Sequence, residues 1–289
     1  MYKAIIFDFD GTLVDTVQDI GSAANHALTY YKFNSIPLNE YTHLVGRGMK
    51  QTITSALALS APYARSENPQ IDRLLYEKIH EYYKEHPFSY SKVYPGILSL
   101  LKQLQASGTM LYIISNKDED ILSKIVSHFF SEITFHKIVG INAENNPDTN
   151  DKITDKTNNK TIDKPTLTPD IYAKPNPYNV LKIIEELKEL SNKTNVKDDK
   201  KIDAKIDPMI MAKDILFVGD SEIDFLTAQN AKIDFGFVSW GYGSKNLKSV
   251  FLKSVSTNKI IVIDHAQSLL DHIYSPIGIS MGVPKIHKK

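Results

Sequence analysis

Residues 5–16 read IIFDFDGTLVDT, an apolar run that stops at two aspartates, Asp8 and Asp10, separated by one residue and followed by Gly11 and Thr12. A short apolar, β-branched run bounded by a polar turn describes a buried strand. Two carboxylates at its C-terminal mouth resist simultaneous ionisation, so a purely structural segment gains nothing from them. A cation beside them removes that penalty. An all-oxygen site suits Mg2+, which takes one or two carboxylates and keeps water or substrate phosphate for its remaining positions. Without an ion, Asp10-Gly11 reads as a turn dipeptide.

The same grammar recurs downstream. LYIISNKD (111–118) and ILFVGDSE (215–222) each run from apolar to polar in one step, and FGFVSWG (235–241) and KIIVIDH (259–265) offer two further strands. Helical patterns lie between them. In 96–105 the apolar positions are Ile97, Leu98, Leu100, Leu101 and Leu104, with Pro95 ahead and Gly108 behind. Strands alternating with helices predict an α/β protein with a Rossmann-like parallel sheet, and ligands bind such sheets beyond the carboxyl ends of the strands. That places Asp8, Asp10, Ser115, Asn116 and Asp220 along one edge.

Residues 16–92 interrupt the alternation. Ile20, Ala23, Ala24, Ala27 and Tyr31 recur at helical spacing, as do Ile71, Leu74, Leu75, Ile79, Tyr82 and Tyr83. An inserted helical cap subdomain over 16–92 is expected, with the α/β core formed by 1–15 and 93–275 and a tail over 276–289. Two polar, low-complexity insertions at about 142–170 and 191–208 are rich in Asn, Lys, Asp and Thr, with near-repeats DKITDK and KTIDK in the first. Such composition buries too little surface to offset its ordering entropy, so mobile surface loops are expected there.

Composition narrows the function classes. The 289 residues carry 34 basic and 34 acidic side chains and are 42% hydrophobic, with a mean hydropathy of -0.26. This is the balance of a soluble protein without the basic bias of a nucleic-acid binder. There is no cysteine, which excludes disulfides, thiolate metal sites and a cysteine nucleophile. The N-terminal apolar run is cut at Asp8, too short for a secretory signal, and no stretch reaches about 18 apolar residues. A cytoplasmic protein with no membrane and no nucleic-acid partner is expected, as monomer or homodimer.

FDFDGTLVDT, ISN at 114–116, AKPNP at 173–177 and VGDSEID at 218–224, in this order and flanked by YPGI (94–97) and WGYG (240–243), resemble the haloacid dehalogenase superfamily, in its phosphoglycolate-phosphatase-like branch. The resemblance covers the chain apart from the two insertions and the tail. It implies that Asp8 attacks phosphorus to form an aspartyl-phosphate, and that Asp10 protonates the leaving oxygen and then activates water. Asp8, Asp10 and Asp220 would hold Mg2+. Lys174 would offset the charge of nucleophile and phosphate; Lys164 also precedes a proline but lies in low-complexity sequence. The Ser115 hydroxyl and the Asn116 main-chain amide would bind the transferring phosphoryl oxygens, where preorganised donors stabilise developing charge.

Gly11 would let the backbone approach phosphate. Thr12 would either cap the following turn or touch the phosphoryl group. Asp224, one helical turn beyond Asp220, would hold metal-bound water or orient Lys174, with Ser221 and Glu222 as weaker candidates. In HLVGRGMKQ, Arg47 and Lys50 could meet a substrate carboxylate or second phosphate, or simply be surface charges. The dehalogenase and phosphonate-cleaving branches lack an acid equivalent to Asp10. Sugar-phosphate mutases usually place a lysine before the cap glycine, where this chain has Val45 before Gly46. The resemblance therefore implies a Mg2+-dependent phosphatase of a small phosphorylated metabolite, 2-phosphoglycolate first. A sugar-phosphate mutase, a pyrophosphatase or 5'-nucleotidase, and last a non-catalytic binding protein are the alternatives.

Overall fold

The computed structural model describes residues 2–142, 152–155, 160–163, 172–194, 211–243 and 258–274. Its centre is a six-stranded sheet with β1(Ala4–Phe7), β4(Met110–Asp118), β5(Lys137–Ile141), β8(Ile215–Gly219), β9(Asp234–Val238) and β10(Ile260–Ile263) in the order β10-β9-β8-β1-β4-β5. Every pairing in it is parallel. The strand that leads into Asp8 is central, flanked by the strand that carries Ser115 and the one that leads into Asp220. Chain order reverses on either side of β1, which is where a crevice opens in sheets of this kind.

Period-two alternation divides the core into two layers. Ile5, Phe7, Leu111, Ile113, Leu216 and Val218 point to one face, packed with Leu100, Leu101 and Leu104 of α5(Ile97–Ala106), Ile125 of α6(Glu119–Phe129) and Leu269 of α9(Ala266–Tyr274). Ala4, Ile6, Tyr112, Ile114, Phe217 and Phe235 point to the other, against Val180, Ile183 and Leu187 of α7(Tyr178–Thr194) and Phe225 and Ala228 of α8(Glu222–Ala231).

Between β1 and α5 the chain forms helices joined by turns, α1(Val17–Tyr30), α2(Met49–Ser60), α3(Ala64–Glu67) and α4(Ile71–Glu85). Ile20, Ala23, Ala27, Ile53, Leu75, Ile79 and Tyr83 form a buried interior here that joins the first layer of the core. The chain leaves and re-enters the sheet through two short antiparallel strands, β2(Val14–Asp15) and β3(Lys92–Val93), paired Val14 to Val93 and Asp15 to Lys92. The buried Asp19 carboxylate fastens this neck, accepting from Tyr90 N at 3.1 Å, Ser91 N at 2.7 Å and Ser91 Oγ at 2.6 Å.

The structure departs from the sequence reading in three places. The edge strand β5, KIVGI, is a strand the pattern reading passes over, because its glycine and short length dilute the signal next to polar sequence. Within the first insertion, expected as a mobile surface loop, β6(Lys152–Asp155) and β7(Lys160–Asp163) pair as an antiparallel hairpin that sets Ile153 opposite Ile162, and the rest of 143–170 lies outside the described residues. The two near-repeats are these two strands, and their alternating Ile and Thr suit them to it. The second insertion begins later than expected, since α7 continues to Thr194; its residues 195–208 and the tail lie outside the described residues.

Candidate active site

β1 ends at Phe7, and Asp8 follows it with its backbone N donating to Val218 O at 2.8 Å, so the sheet itself fixes where this side chain emerges. Asp8, Asp220 and Asp224 are all buried, and one carboxylate oxygen from each lies within 4.8 Å of the others. Lys174 is buried among them, donating from Nζ to Asp8 Oδ1 at 2.5 Å and to Asp224 Oδ1 at 2.7 Å.

Each member is held by its own framework. Asp220 Oδ1 accepts from Thr12 Oγ1 at 3.1 Å, and Oδ2 accepts from Tyr242 N at 2.7 Å and Gly243 N at 3.1 Å. Asp224 Oδ2 accepts from Ser221 N at 3.1 Å and Ser221 Oγ at 2.6 Å, a capping box that starts α8. Asn116 Oδ1 accepts from Lys174 N at 2.8 Å, while its Nδ2 donates to Lys174 O at 3.1 Å and to Gly46 O at 3.2 Å. The side chain of Asn116 therefore seats the lysine's backbone and ties it to the helical segment. The Lys174–Pro175 peptide bond is cis.

Several expected site residues stand in different relationships from those the sequence suggested. The carboxyl of Asp10 lies outside the three-acid cluster and turns to other partners: Oδ1 accepts from Thr16 Oγ1 at 2.5 Å and lies 3.0 Å from Lys117 Nζ. The Thr12 hydroxyl donates to Asp220, a partner the sequence did not suggest. Gly11 has φ +84, and a Cβ there would come within 2.7 Å of Asp220 Oδ2, so glycine is needed to bring Asp220 close as well as for the turn. Ser115 is buried, and its Oγ accepts from Lys117 N at 3.2 Å. Arg47 is exposed and borders a cavity of about 260 Å³ that also reaches Asp8, Asp10 and Asp220. Lys50 lines neighbouring cavities that touch neither Asp8 nor Asp10.

The sequence reading missed four participants: Lys117, Thr16, Tyr83 and the chain around Tyr242. Lys117 had a visible signal, a cation closing an otherwise apolar strand. The signal in WGYG was its glycines. A Cβ on Gly241 would fall 2.2 Å from Asp220 Cβ, so only glycine allows this loop to press its amides onto the acid.

Charge is unevenly balanced here. Three buried carboxylates face one ammonium, leaving a net deficit of positive charge in a region of low dielectric. Burial, and then Asp224, push the Asp220 carboxyl up from 3.8 to about 7, against the donors Gly243, Thr12 and Tyr242. Asp8 is likewise raised well above the usual carboxylate range, first by burial and then by Asp224, with Lys174 opposing. Burial pulls Lys174 down, yet Asp224 and Asp8 outweigh it and keep the amine protonated. Lys117 shows the same balance, burial opposed by Asp10 and Tyr83 with a net upward result. A group of hard oxygens with excess negative charge fits a divalent cation of the Mg2+ type.

Access is through the junction of helical segment and sheet. A cavity of about 30 Å³ there is lined by Asp8, Asp10, Ser115, Asn116, Lys117 and Tyr83 among others. A larger one, about 590 Å³, runs along β5 behind Ser115, Asn116 and Lys174 and does not touch Asp8 or Asp10. Asp8 and Asp10 face both the small cavity and the one of about 260 Å³ that also reaches Asp220. Among the described residues, no helix is long and apolar enough to cross a membrane.

Comparison with known proteins agrees with this fold. Residues 5–165 match the sequence profile of the haloacid dehalogenase-like hydrolases. A phosphoglycolate phosphatase of Agrobacterium fabrum is 36% identical over 135 residues, 45% of this chain and 56% of that relative. One from Psychrobacter arcticus is 27% identical over 242 residues, covering 83% of this chain and 84% of the relative. Among solved structures, a protein of Lactobacillus delbrueckii superposes with a TM-score of 0.68 at 24% identity, over 94% of this chain and 98% of its own. A haloacid dehalogenase-like family hydrolase from Streptococcus pneumoniae superposes with a TM-score of 0.60 at 18% identity, covering 94% and 98%. The chain thus belongs to the haloacid dehalogenase-like hydrolase family.

Proposed function

We propose that this protein is a Mg2+-dependent phosphatase that hydrolyses a small phosphomonoester through an aspartyl-phosphate on Asp8. The observation that carries the reading is the buried cluster of Asp8, Asp220 and Asp224 around Lys174, at the carboxyl ends of neighbouring parallel strands. The ion would be held by carboxylates of this cluster and would supply charge neutralisation between nucleophile and phosphate when bound.

An Asp8 oxygen forms a bond to phosphorus while the bond from phosphorus to the leaving oxygen breaks, and Asp10 gives its proton to that oxygen. Water then enters: Asp10 takes one proton from it, the water oxygen bonds to phosphorus and the bond from phosphorus to Asp8 breaks, which frees Asp8 and inorganic phosphate. Splitting the displacement in two lowers each barrier. Lys174 stays charged throughout, offsetting negative charge at Asp8 and at the phosphoryl group. Ser115 and the Asn116 amide stand where strand β4 opens into the cavity and would bind phosphoryl oxygens.

The cavity of about 260 Å³ that reaches Asp8, Asp10 and Asp220 supports a leaving group of few atoms, and the named relatives make 2-phosphoglycolate the first substrate to assay. The helical segment 16–92 would act as a cap over the reacting atoms, with Arg47 at its margin meeting substrate charge. Action in the cytoplasm is in keeping with a chain without cysteine. The test is hydrolysis of p-nitrophenyl phosphate and 2-phosphoglycolate with Mg2+ and with chelator, on the wild type and Asp8→Asn. Mg2+-dependent turnover that Asp8→Asn abolishes is expected; turnover untouched by either change refutes the mechanism.

A further inference from the structure

Lys117 lies two residues beyond Ser115, on the last part of β4, and its side chain is only 4% exposed. Its Nζ lies 3.0 Å from Asp10 Oδ1 and donates to the Tyr83 hydroxyl at 2.8 Å, with the Tyr83 ring beneath it at 4.6 Å. Burying an ammonium is costly unless it is paired, and this one is paired with the acid that the proposed reaction uses for proton transfer. Thr16 Oγ1 reaches the same Asp10 oxygen. Two donors on Oδ1, one of them charged, fix the carboxyl plane and leave Oδ2 for the proton.

The third partner comes from elsewhere in the molecule. Tyr83 is fully buried and belongs to α4 of the helical segment, whereas Lys117 and Asp10 belong to the sheet side. The grip on Asp10 is therefore assembled across the junction. We infer that Lys117 is a positioning residue for Asp10 and that Tyr83 completes it from the helical segment, so that seating this segment against the sheet and aligning the acid-base group are one event. This rests on the phosphatase reading for the role of Asp10, though the pairing itself does not.

The experiment compares Lys117→Met, Lys117→Arg, Tyr83→Phe, Asp10→Asn and the Lys117→Met/Asp10→Asn double variant, with p-nitrophenyl phosphate and 2-phosphoglycolate as substrates. Lys117→Met is expected to lower kcat about 10- to 100-fold on both substrates, a part of the roughly 10²- to 10⁴-fold that acid-base help supplies. KM should stay within about twofold. Lys117→Arg should recover part of the loss, and Tyr83→Phe should lower kcat by a smaller factor. The double variant should be no slower than Asp10→Asn alone, because both remove the same function. A rise in KM confined to the carboxylate-bearing substrate, with kcat intact, would mean that Lys117 contacts substrate and would overturn the inference. So would rate losses that multiply in the double variant.

If Lys117→Met does not fold, Tyr83→Phe, which removes one hydroxyl from the same network, supplies the kcat-against-KM comparison. If the wild type hydrolyses no phosphomonoester, the phosphatase reading fails separately. Thermal melts of the same four-way cycle then decide the pairing: losses in Tm smaller than additive keep it, and additive losses end it.

Discussion

The Lys174 ammonium sits 2.5 Å from Asp8 Oδ1 although 166 residues separate them in the chain. The fold makes this contact by ending β1 at the sheet's centre and anchoring the lysine's backbone on Asn116. Because the same ammonium also binds Asp224, the lysine is oriented from behind while it faces the proposed nucleophile. Mutual placement of this kind makes the two acids of the opening stretch unequal in consequence.

Asp8→Asn should cost at least about 10³-fold in kcat, since the covalent route disappears. Asp10→Asn should cost about 10²- to 10⁴-fold with little change in KM, since it removes proton transfer and leaves binding. Steady-state kinetics on p-nitrophenyl phosphate separate the two; equal and small losses would contradict the assigned roles.

Mg2+ should stabilise the fold measurably. At about 100 times its Kd the ion adds about 2.7 kcal/mol, which a thermal melt registers as an upward shift in Tm. Asp220→Asn should abolish the shift while leaving a folded protein. A variant that responds to Mg2+ as the wild type does would remove Asp220 from the ion's site.

Stability without metal should depend on pH in an unusual direction. Asp220 is raised from 3.8 to about 7 by burial and then by Asp224, and Asp8 is raised by the same two causes in that order. A folded-state value above the unfolded one means that the folded protein binds more protons between them. Its contribution is full below about 4 and is lost as pH rises towards about 7. Tm of chelated protein should therefore fall between about pH 5 and 7.5, and Mg2+ should offset the fall. Calorimetry in buffers of different ionisation heat should detect proton release on Mg2+ binding near pH 6.5 and little near pH 9. Proton-neutral binding at both would refute this.

Asp19→Ala should destabilise by about 1 to 3 kcal/mol, because it leaves the amides of Tyr90 and Ser91 without their acceptor at a buried site. Denaturant melts give the magnitude. A change within about 0.5 kcal/mol would show that the neck is held by its strand pairing instead.

How much of this was legible in sequence follows from how local each signal is. Asp8, Asp10 and Asp220 announce themselves because a carboxylate at the end of an apolar run contradicts its surroundings. Lys174 was readable only in the company of its prolines and the helix after it. The partner of Thr12 was not readable, because the hydroxyl crosses 208 residues of chain to Asp220 and no spacing encodes such a contact. Asn116 was expected to act through its amide, whereas its side chain does separate work on Lys174, a relationship that exists only once two loops meet. The direction of the Asp10 carboxyl was likewise set by Lys117 and Thr16 from other elements. Strand β5 and the hairpin were hidden by composition, since polar, short strands resemble loops until a partner is known.

The antiparallel pairing of Val14 with Val93 brings the outgoing and returning chain to within one strand spacing of each other. Everything between them thus leaves and rejoins the sheet through one neck, while Gly46 O and the Tyr83 hydroxyl also reach Asn116 and Lys117 on β4. On the proposed function, exchanging that block for one of different shape while keeping Thr16 and Tyr83 against Asp10 and Lys117 would alter which leaving groups are admitted. A chimaera cut at these two valines is the natural unit for redesigning selectivity.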